Sequence, residues 1–187
     1  MANIINWNSE IQFPSDSCFQ NRIIGAKFAP SSKGNQMITL ELEVVEPKTY
    51  MIGEQEVNIA GAKAKMYFNT KMFGESGEVD EDKTAVCRAR VFGPSQSDKP
   101  SLYELLGLDG SAVDPENPLM SDLLGKVVFT QMSSDPTEQR KTPTADEIAK
   151  AKKAGTKPLG TVMKHPKTGK PLVKYWPKIE EIFGVVE

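Results

Sequence analysis

The sequence is poor in the side chains from which enzymes build most active sites. It has one histidine and two cysteines among 187 residues. His165 alone could serve as the base of a catalytic triad, and no carboxylate lies near it in the chain to orient its ring. Cys18 and Cys87 are far apart and too few for a zinc site or a disulfide framework. We therefore expect no enzyme, no metal and no cofactor, unless carboxylates from distant loops converge in the fold.

Phosphate-binding loops and long apolar segments are absent as well. Neither Gly-x-x-x-x-Gly-Lys-Ser/Thr nor Gly-x-Gly-x-x-Gly occurs in the chain. No apolar run approaches the roughly 20 residues of a membrane span, and the N-terminus does not resemble a signal peptide. The acidic stretch at 74–84 lacks the ligand spacing of an EF-hand and is interpreted as a solvated loop. These absences predict a cytoplasmic protein without a membrane partner.

Charge is unevenly distributed along the chain, although the net charge is only −2. Residues 1–125 contain 11 Lys+Arg and 18 Asp+Glu, whereas residues 126–178 contain 12 Lys+Arg and 4 Asp+Glu, a balance of +8. No acidic residue occurs between Ile148 and Ile179. Such asymmetry indicates a polyanionic partner. The alternative is that oppositely charged faces pair within the fold.

Alternation of apolar and polar residues predicts a mainly β protein. Strands are expected at 22–30, 38–45, 62–71 and 127–132, with hairpins around Gly53 and at 161–177, where Pro177 ends the second hairpin. Short helices are expected at 101–106 and 145–153, a loop at 94–100, and either a strand or a short helix at 86–92. We predict one OB-fold domain over 1–187, a Greek-key β-barrel with one or two short helices, extended loops and a mobile insert around 133–160.

Binding of single strands without sequence preference requires cations for the phosphates and exposed rings for the bases. The strand at 62–71 offers both on its outward face, which carries Lys63, Lys65, Tyr67 and Lys71. The alternative is that Lys63 and Lys65 pair across the sheet with glutamates of the strand at 38–45.

The second candidate surface is the hairpin at 161–177. With a two-residue turn at 168–169, its outward face carries five residues of the required kinds: His165, Lys167, Lys170, Lys174 and Trp176. In an OB barrel this face and that of Tyr67 would line one groove. A different turn would place Tyr175 in the groove and Trp176 in the core. The alternative is a solvated, lysine-rich tip with a buried tryptophan.

The third candidate is the segment at 86–92. As a strand, it would present Arg88, Arg90 and Phe92 on one side, and arginine both binds phosphate and stacks on bases. As a helix, it would not place these three residues on one face.

The order of four motifs resembles a family of short phage-encoded proteins. The matching residues are Lys33-Gly34-Asn35 with Met37, Leu102 to Leu108, Asp122 to Lys126, and Val173 to Pro177. The resemblance implies an OB barrel that binds single-stranded DNA, coating and protecting it during phage DNA replication or recombination in the host cytoplasm. It also implies contacts with phage or host replication and recombination proteins. The competing interpretation is a phage structural or protein-interaction module that docks an acidic partner.

Overall fold

The computed structural model describes residues 4–14, 17–93 and 99–186, and over these residues the chain is mainly β, as predicted. Residues 94–98 of the loop predicted at 94–100 lie outside this description. The strands are β1 Ile5–Asn6, β2 Ser17–Pro30, β3 Gln36–Glu46, β4 Thr49–Ile52, β5 Gln55–Asn58, β6 Lys63–Lys71, β7 Val127–Glu138 and β8 Val173–Val185. The α-helices are α1 Glu81–Phe92, α2 Leu102–Leu105 and α3 Ala145–Lys153, with 3-10 turns at Gly110–Ala112 and Met120–Leu123.

Five strands form one antiparallel sheet in the order β6-β3-β2-β7-β8. The predicted alternation is confirmed in β3, where Ile38, Leu40, Leu42 and Val44 are buried and the residues between them are not. β8 returns beside β6, and Cα atoms of the two strands come within 8 Å of one another. Among the described residues no hydrogen-bonded ladder joins these two edges, so they leave an open seam in the wall of the sheet.

A second sheet has the order β1-β5-β4 and includes the hairpin predicted around Gly53. It anchors an N-terminal segment that the sequence patterns did not reveal. Trp7 donates its backbone N–H to Asn58 O (2.8 Å), and Ser9 O accepts from the backbone N–H of Tyr175 (2.6 Å). This segment therefore lies along the free edge of β8.

Pro177 does not end the final hairpin, because β8 continues through it to Val185. The N–H of Tyr175 points away from β7, toward Ser9. Backbone nitrogens two residues apart on a strand face the same way, so the nitrogen of Pro177 also points away from β7. The proline consequently removes no hydrogen bond from the β7–β8 ladder.

The segment at 86–92 is helical, which settles the alternative left open by its length. Helix α1 begins at Glu81, since Asp80 caps it by accepting the N–H of Lys83 (3.1 Å). The side-chain hydrogen bond from the Lys83 ammonium (2.7 Å) and this backbone bond hold the pKa of Asp80 below its usual value. Part of the acidic stretch at 74–84 therefore forms the start of a helix, where negatively charged side chains interact favourably with the helix dipole.

The predicted insert begins later than residue 133, because β7 extends to Glu138 and pairs with Val173–Lys178 of β8. The sequence hides this part of the strand because, among the described residues, β2 pairs with β7 as far as Met132 and not beyond. Beyond it the two-stranded ribbon is largely solvated and shows little apolar alternation. We call residues 133–178, meaning this ribbon with α3 and the hairpin beyond it, the basic arm.

Candidate nucleic-acid interface

The tip of the basic arm is a hairpin with a four-residue turn at 166–169. His165 donates its backbone N–H to Lys170 O (2.8 Å), and Lys164 pairs with Pro171. The predicted two-residue turn is therefore wrong. The register at the tip differs from the expected one by two residues, a shift that does not exchange the two faces of the hairpin. Lys164, Pro166 and Pro171, predicted on the core face, are nevertheless exposed. Trp176 is 49% exposed, whereas Pro177 and Ile179 are buried. The face of these residues is set by β7, because the second arm of the predicted hairpin pairs with β7 from Val173 onward.

His165 helps to shape this turn. Its ring Nδ1 accepts the backbone N–H groups of Lys167 and Thr168, each at 3.3 Å. The ring is exposed, and Lys167 and Lys170 lie at the tip beside it, also exposed. The histidine therefore positions the lysine-bearing backbone in addition to being accessible itself.

The basic arm carries positive charge that the described protein leaves uncompensated. It contains 11 Lys+Arg and 4 Asp+Glu. Of its nine lysines between Ile148 and Ile179, only Lys178 has a described carboxylate within 4.0 Å, that of Glu180 at 3.1 Å. Glu147 is occupied by the capping box of α3, where its carboxylate accepts the N–H of Thr144 (2.8 Å). That backbone hydrogen bond, with the one from the Thr144 hydroxyl, lowers the pKa of Glu147 and keeps it charged.

One carboxylate does face the indole on the ribbon, since Asp135 lies opposite Trp176 in the β7–β8 ladder. Lys174 is half-buried opposite Thr137, and Lys178 lies opposite Ser133. The ring is thus flanked by two lysines along its strand and by one aspartate across it.

The outward face of β6 is also arranged as predicted. Lys63 and Lys65 are exposed, and Tyr67 is 59% exposed. The register places these lysines opposite Glu43 and Glu41, as the cross-strand alternative requires. Within the described chain, however, neither ammonium comes within 4.0 Å of a carboxylate. The two pairs are neighbours without being closed ion pairs.

Two other predicted phosphate ligands are paired inside the protein. Glu116 accepts from Lys71 Nζ (3.2 Å) and also from the guanidinium of Arg88, whose Nε donates to Thr70 O (3.2 Å). The hydrogen bonds from Lys71 and then Arg88 lower the pKa of Glu116. Both cations are therefore less available to a phosphate than predicted, because the loop at 109–118 brings a carboxylate to them that their own strand and helix do not contain.

Phe92 is likewise no stacking residue. It is 5% exposed, and its ring packs on Tyr103 with centroids 5.2 Å apart. Because the segment is helical, Phe92 points into the core while Arg90 is exposed. The three residues of the third candidate surface therefore have three different roles.

The structure does not bring Tyr67 and Trp176 into one groove. Met66 and Phe68, the chain neighbours of Tyr67, line the same cavity as Ile182 of β8. Trp176 lies six residues before Ile182 on that strand, a separation of roughly 20 Å at the usual rise of an extended chain. The two rings belong to separate surfaces.

Two further exposed rings lie on this sheet. Phe129 is 38% exposed and Phe183 is 47% exposed. The signal for Phe129 is present in the sequence, because it alternates with the buried residues Val128 and Thr130. Phe183 has no such signal, since it lies at a break in the alternation of β8.

The described residues contain no group of three or more His, Cys, Asp or Glu placed to hold a metal ion. Over the same ranges no helix has the length and apolar character needed to cross a membrane. Compared with known proteins, the chain matches no family model, no curated protein and no solved structure.

Proposed function

We propose that this protein binds single-stranded DNA and coats and protects it during phage DNA replication or recombination, without turnover. The observation that carries the proposal is the basic arm, where eight lysines without a described ion pair accompany the exposed ring of Trp176. The strand order supports an OB-type barrel. In the five-stranded sheet, the three antiparallel strands β2, β3 and β6 are followed by a helix. The fourth strand, β7, pairs with the first, and the fifth, β8, returns beside the third.

The chemistry of such binding has two parts. Lysine ammonium groups neutralise phosphates and release counterions, which supplies affinity for any sequence. Exposed rings stack on bases, each worth roughly 1–3 kcal/mol by alanine substitution. A duplex offers phosphates but keeps its bases stacked inside, so the rings favour the single strand.

Fluorescence polarisation with labelled oligo-dT tests the proposal. We expect tighter binding to oligo-dT than to a duplex of equal length. We also expect log affinity to fall with log salt by about 0.7 for each phosphate contact. A flat salt response or equal affinity for the duplex would contradict capture by stacking. Unlabelled poly-glutamate is the control for the competing function: if it displaces the probe as well as unlabelled oligo-dT does, the arm docks an acidic protein partner instead.

A second prediction concerns the hairpin tip. Changing Lys164, Lys167 and Lys170 together to glutamine should reduce the salt slope by about 2, which is three contacts at 0.7 each. The matched control removes the same charge from α3 by changing Lys150, Lys152 and Lys153 to glutamine. Equal effects of the two triple variants would mean that binding follows net charge and that the tip holds no particular phosphates.

A further inference from the structure

The exposed aromatic rings are not scattered over the surface. Among the described residues, the aromatic side chains that are strongly exposed are Tyr67, Phe129, Trp176 and Phe183. All four lie on strands of the five-stranded sheet, and three of them lie on β6, β8 and β7 near the open seam. Trp176 lies on the separate surface of the basic arm, but the clustering of the other three rings indicates a binding function more than rings distributed singly would.

Phe129 and Phe183 are neighbours on β7 and β8. The ladder pairs Phe129 with Gly184 and resumes at Thr130 with Ile182, so Phe183 is an extra residue in β8. Such a bulge sets two consecutive residues, here Phe183 and Gly184, opposite the single residue Phe129. Ile182 is buried and Phe183 is exposed. Opposite Phe129 stands a glycine, which leaves that ring uncovered.

Tyr67 lies on the other side of the seam. Met66 and Phe68 of β6 line one cavity of about 440 Å³ together with Ile182 and Phe183 of β8. Tyr67 stands between Met66 and Phe68 in the chain and points to the opposite, outward side of β6. Across the outer surface the rings therefore follow the order Tyr67, Phe183, Phe129, one on each successive strand. Neighbouring strands of a sheet are roughly 5 Å apart, and the seam is somewhat wider.

Arg90 is a cation at the seam that has no carboxylate partner among the described residues. Arg90 of α1 lines the same cavity, and within the described chain no carboxylate lies within 4.0 Å of its guanidinium. Glu181 at the cavity pairs with Lys99 (2.8 Å), and Glu180 pairs with Lys178 (3.1 Å). Both carboxylates are thus neutralised, and the guanidinium is available to an anionic ligand.

We propose that Tyr67, Phe183 and Phe129 form a track on which consecutive bases of a single strand stack as it crosses the seam, with Arg90 holding a phosphate. This inference rests on the proposed function and adds a path that is separate from the basic arm. A nucleic-acid strand fits better than a second protein copy because it offers flat bases that stack on the rings and phosphates that can pair with the guanidinium of Arg90.

The test compares two labelled probes, oligo-dT and an abasic oligonucleotide of the same length. Phe183→Leu and Phe129→Leu keep apolar volume but remove the ring. Each should weaken oligo-dT binding roughly 5- to 150-fold, the equivalent of about 1–3 kcal/mol per base. Affinity for the abasic probe and the Tm should stay at wild-type values.

Two control variants accompany this test. Phe183→Tyr retains a ring and should bind oligo-dT as the wild type does. Leu119→Ala removes an apolar side chain that is 68% exposed and lies outside the sheet, and it should also leave the affinity unchanged.

Three results would overturn the track. One is oligo-dT affinity in both leucine variants equal to that of Leu119→Ala. Another is an equal loss on the abasic probe, which would show that the rings do not act on bases. A third is a leucine variant that binds oligo-dT as the wild type does but sediments, without DNA, at a lower molar mass than the wild type. That result would show that the rings form an interface between copies of the chain. If wild-type protein fails to bind oligo-dT at all, the proposed function fails with it, and that result is recognisable before any variant is measured.

Discussion

Trp176→Ala is expected to weaken oligo-dT binding by roughly 1–3 kcal/mol while leaving the Tm unchanged. The indole is half exposed on the ribbon of the basic arm, with Lys174 and Lys178 on the same face of β8. Removing it deletes a stacking surface and creates no cavity in the core. Oligo-dT titration and thermal melting of the same preparation check both parts of the expectation.

Ile179→Ala is the matched control for this prediction, because Ile179 lies three residues further along β8 with its side chain buried. Truncating a buried isoleucine costs about 2–5 kcal/mol of stability. The affinity of the folded fraction for oligo-dT should stay at its wild-type value. If Trp176→Ala instead lowers the Tm and spares the affinity, the ring supports the fold and the stacking site on the arm is elsewhere.

The sequence predicts most strands of this protein because one face of the main sheet is buried and the other is wet. Ile38 to Val44 and Ala62 to Phe68 show the period of two that such a sheet imposes. Helices α2 and α3 are equally recognisable, because Ser101 and Thr144 begin complete capping boxes. The part of β7 at 133–138 is not recognisable in the sequence. It packs against little of the core, so its residues do not need to alternate between apolar and polar.

The candidate site is less predictable than the fold, because it depends on contacts between residues distant in sequence. The outward placement of Lys65, Tyr67 and Trp176 follows from local alternation alone. The pairing of Lys71 and Arg88 does not, because Glu116 reaches them from a loop 45 and 28 residues away in the chain. The seam likewise exists only where β8 returns beside β6. No local pattern places Phe183 at one cavity with Met66 and Phe68.

Gly160 anchors the basic arm through close backbone packing. A Cβ at this position would lie 1.7 Å from Lys141 O and 2.9 Å from the carbonyl carbon of Lys141. Gly160 O also accepts from the guanidinium of Arg140 (3.1 Å), and the next residue, Thr161, accepts the N–H of Lys141 (3.0 Å). The obstructing atoms belong to the backbone, so rotation of a side chain cannot relieve the contact.

Gly160→Ala is therefore expected to separate the segment at 160–161 from Lys141, where the ribbon of the arm leads into α3 and the hairpin. This should cost about 1–3 kcal/mol or more and weaken oligo-dT binding by the protein that remains folded. Gly110→Ala is the matched control, because its Cβ would lie 1.9 Å from Phe92 O, in the body of the protein. That variant should lose stability and keep its affinity. Gly74→Ala, with its nearest neighbour at 3.8 Å, should change neither quantity. Wild-type affinity in the folded fraction of Gly160→Ala would contradict this part of the arm as a binding surface, since the lysines of α3 and of the hairpin tip would then be displaced without consequence.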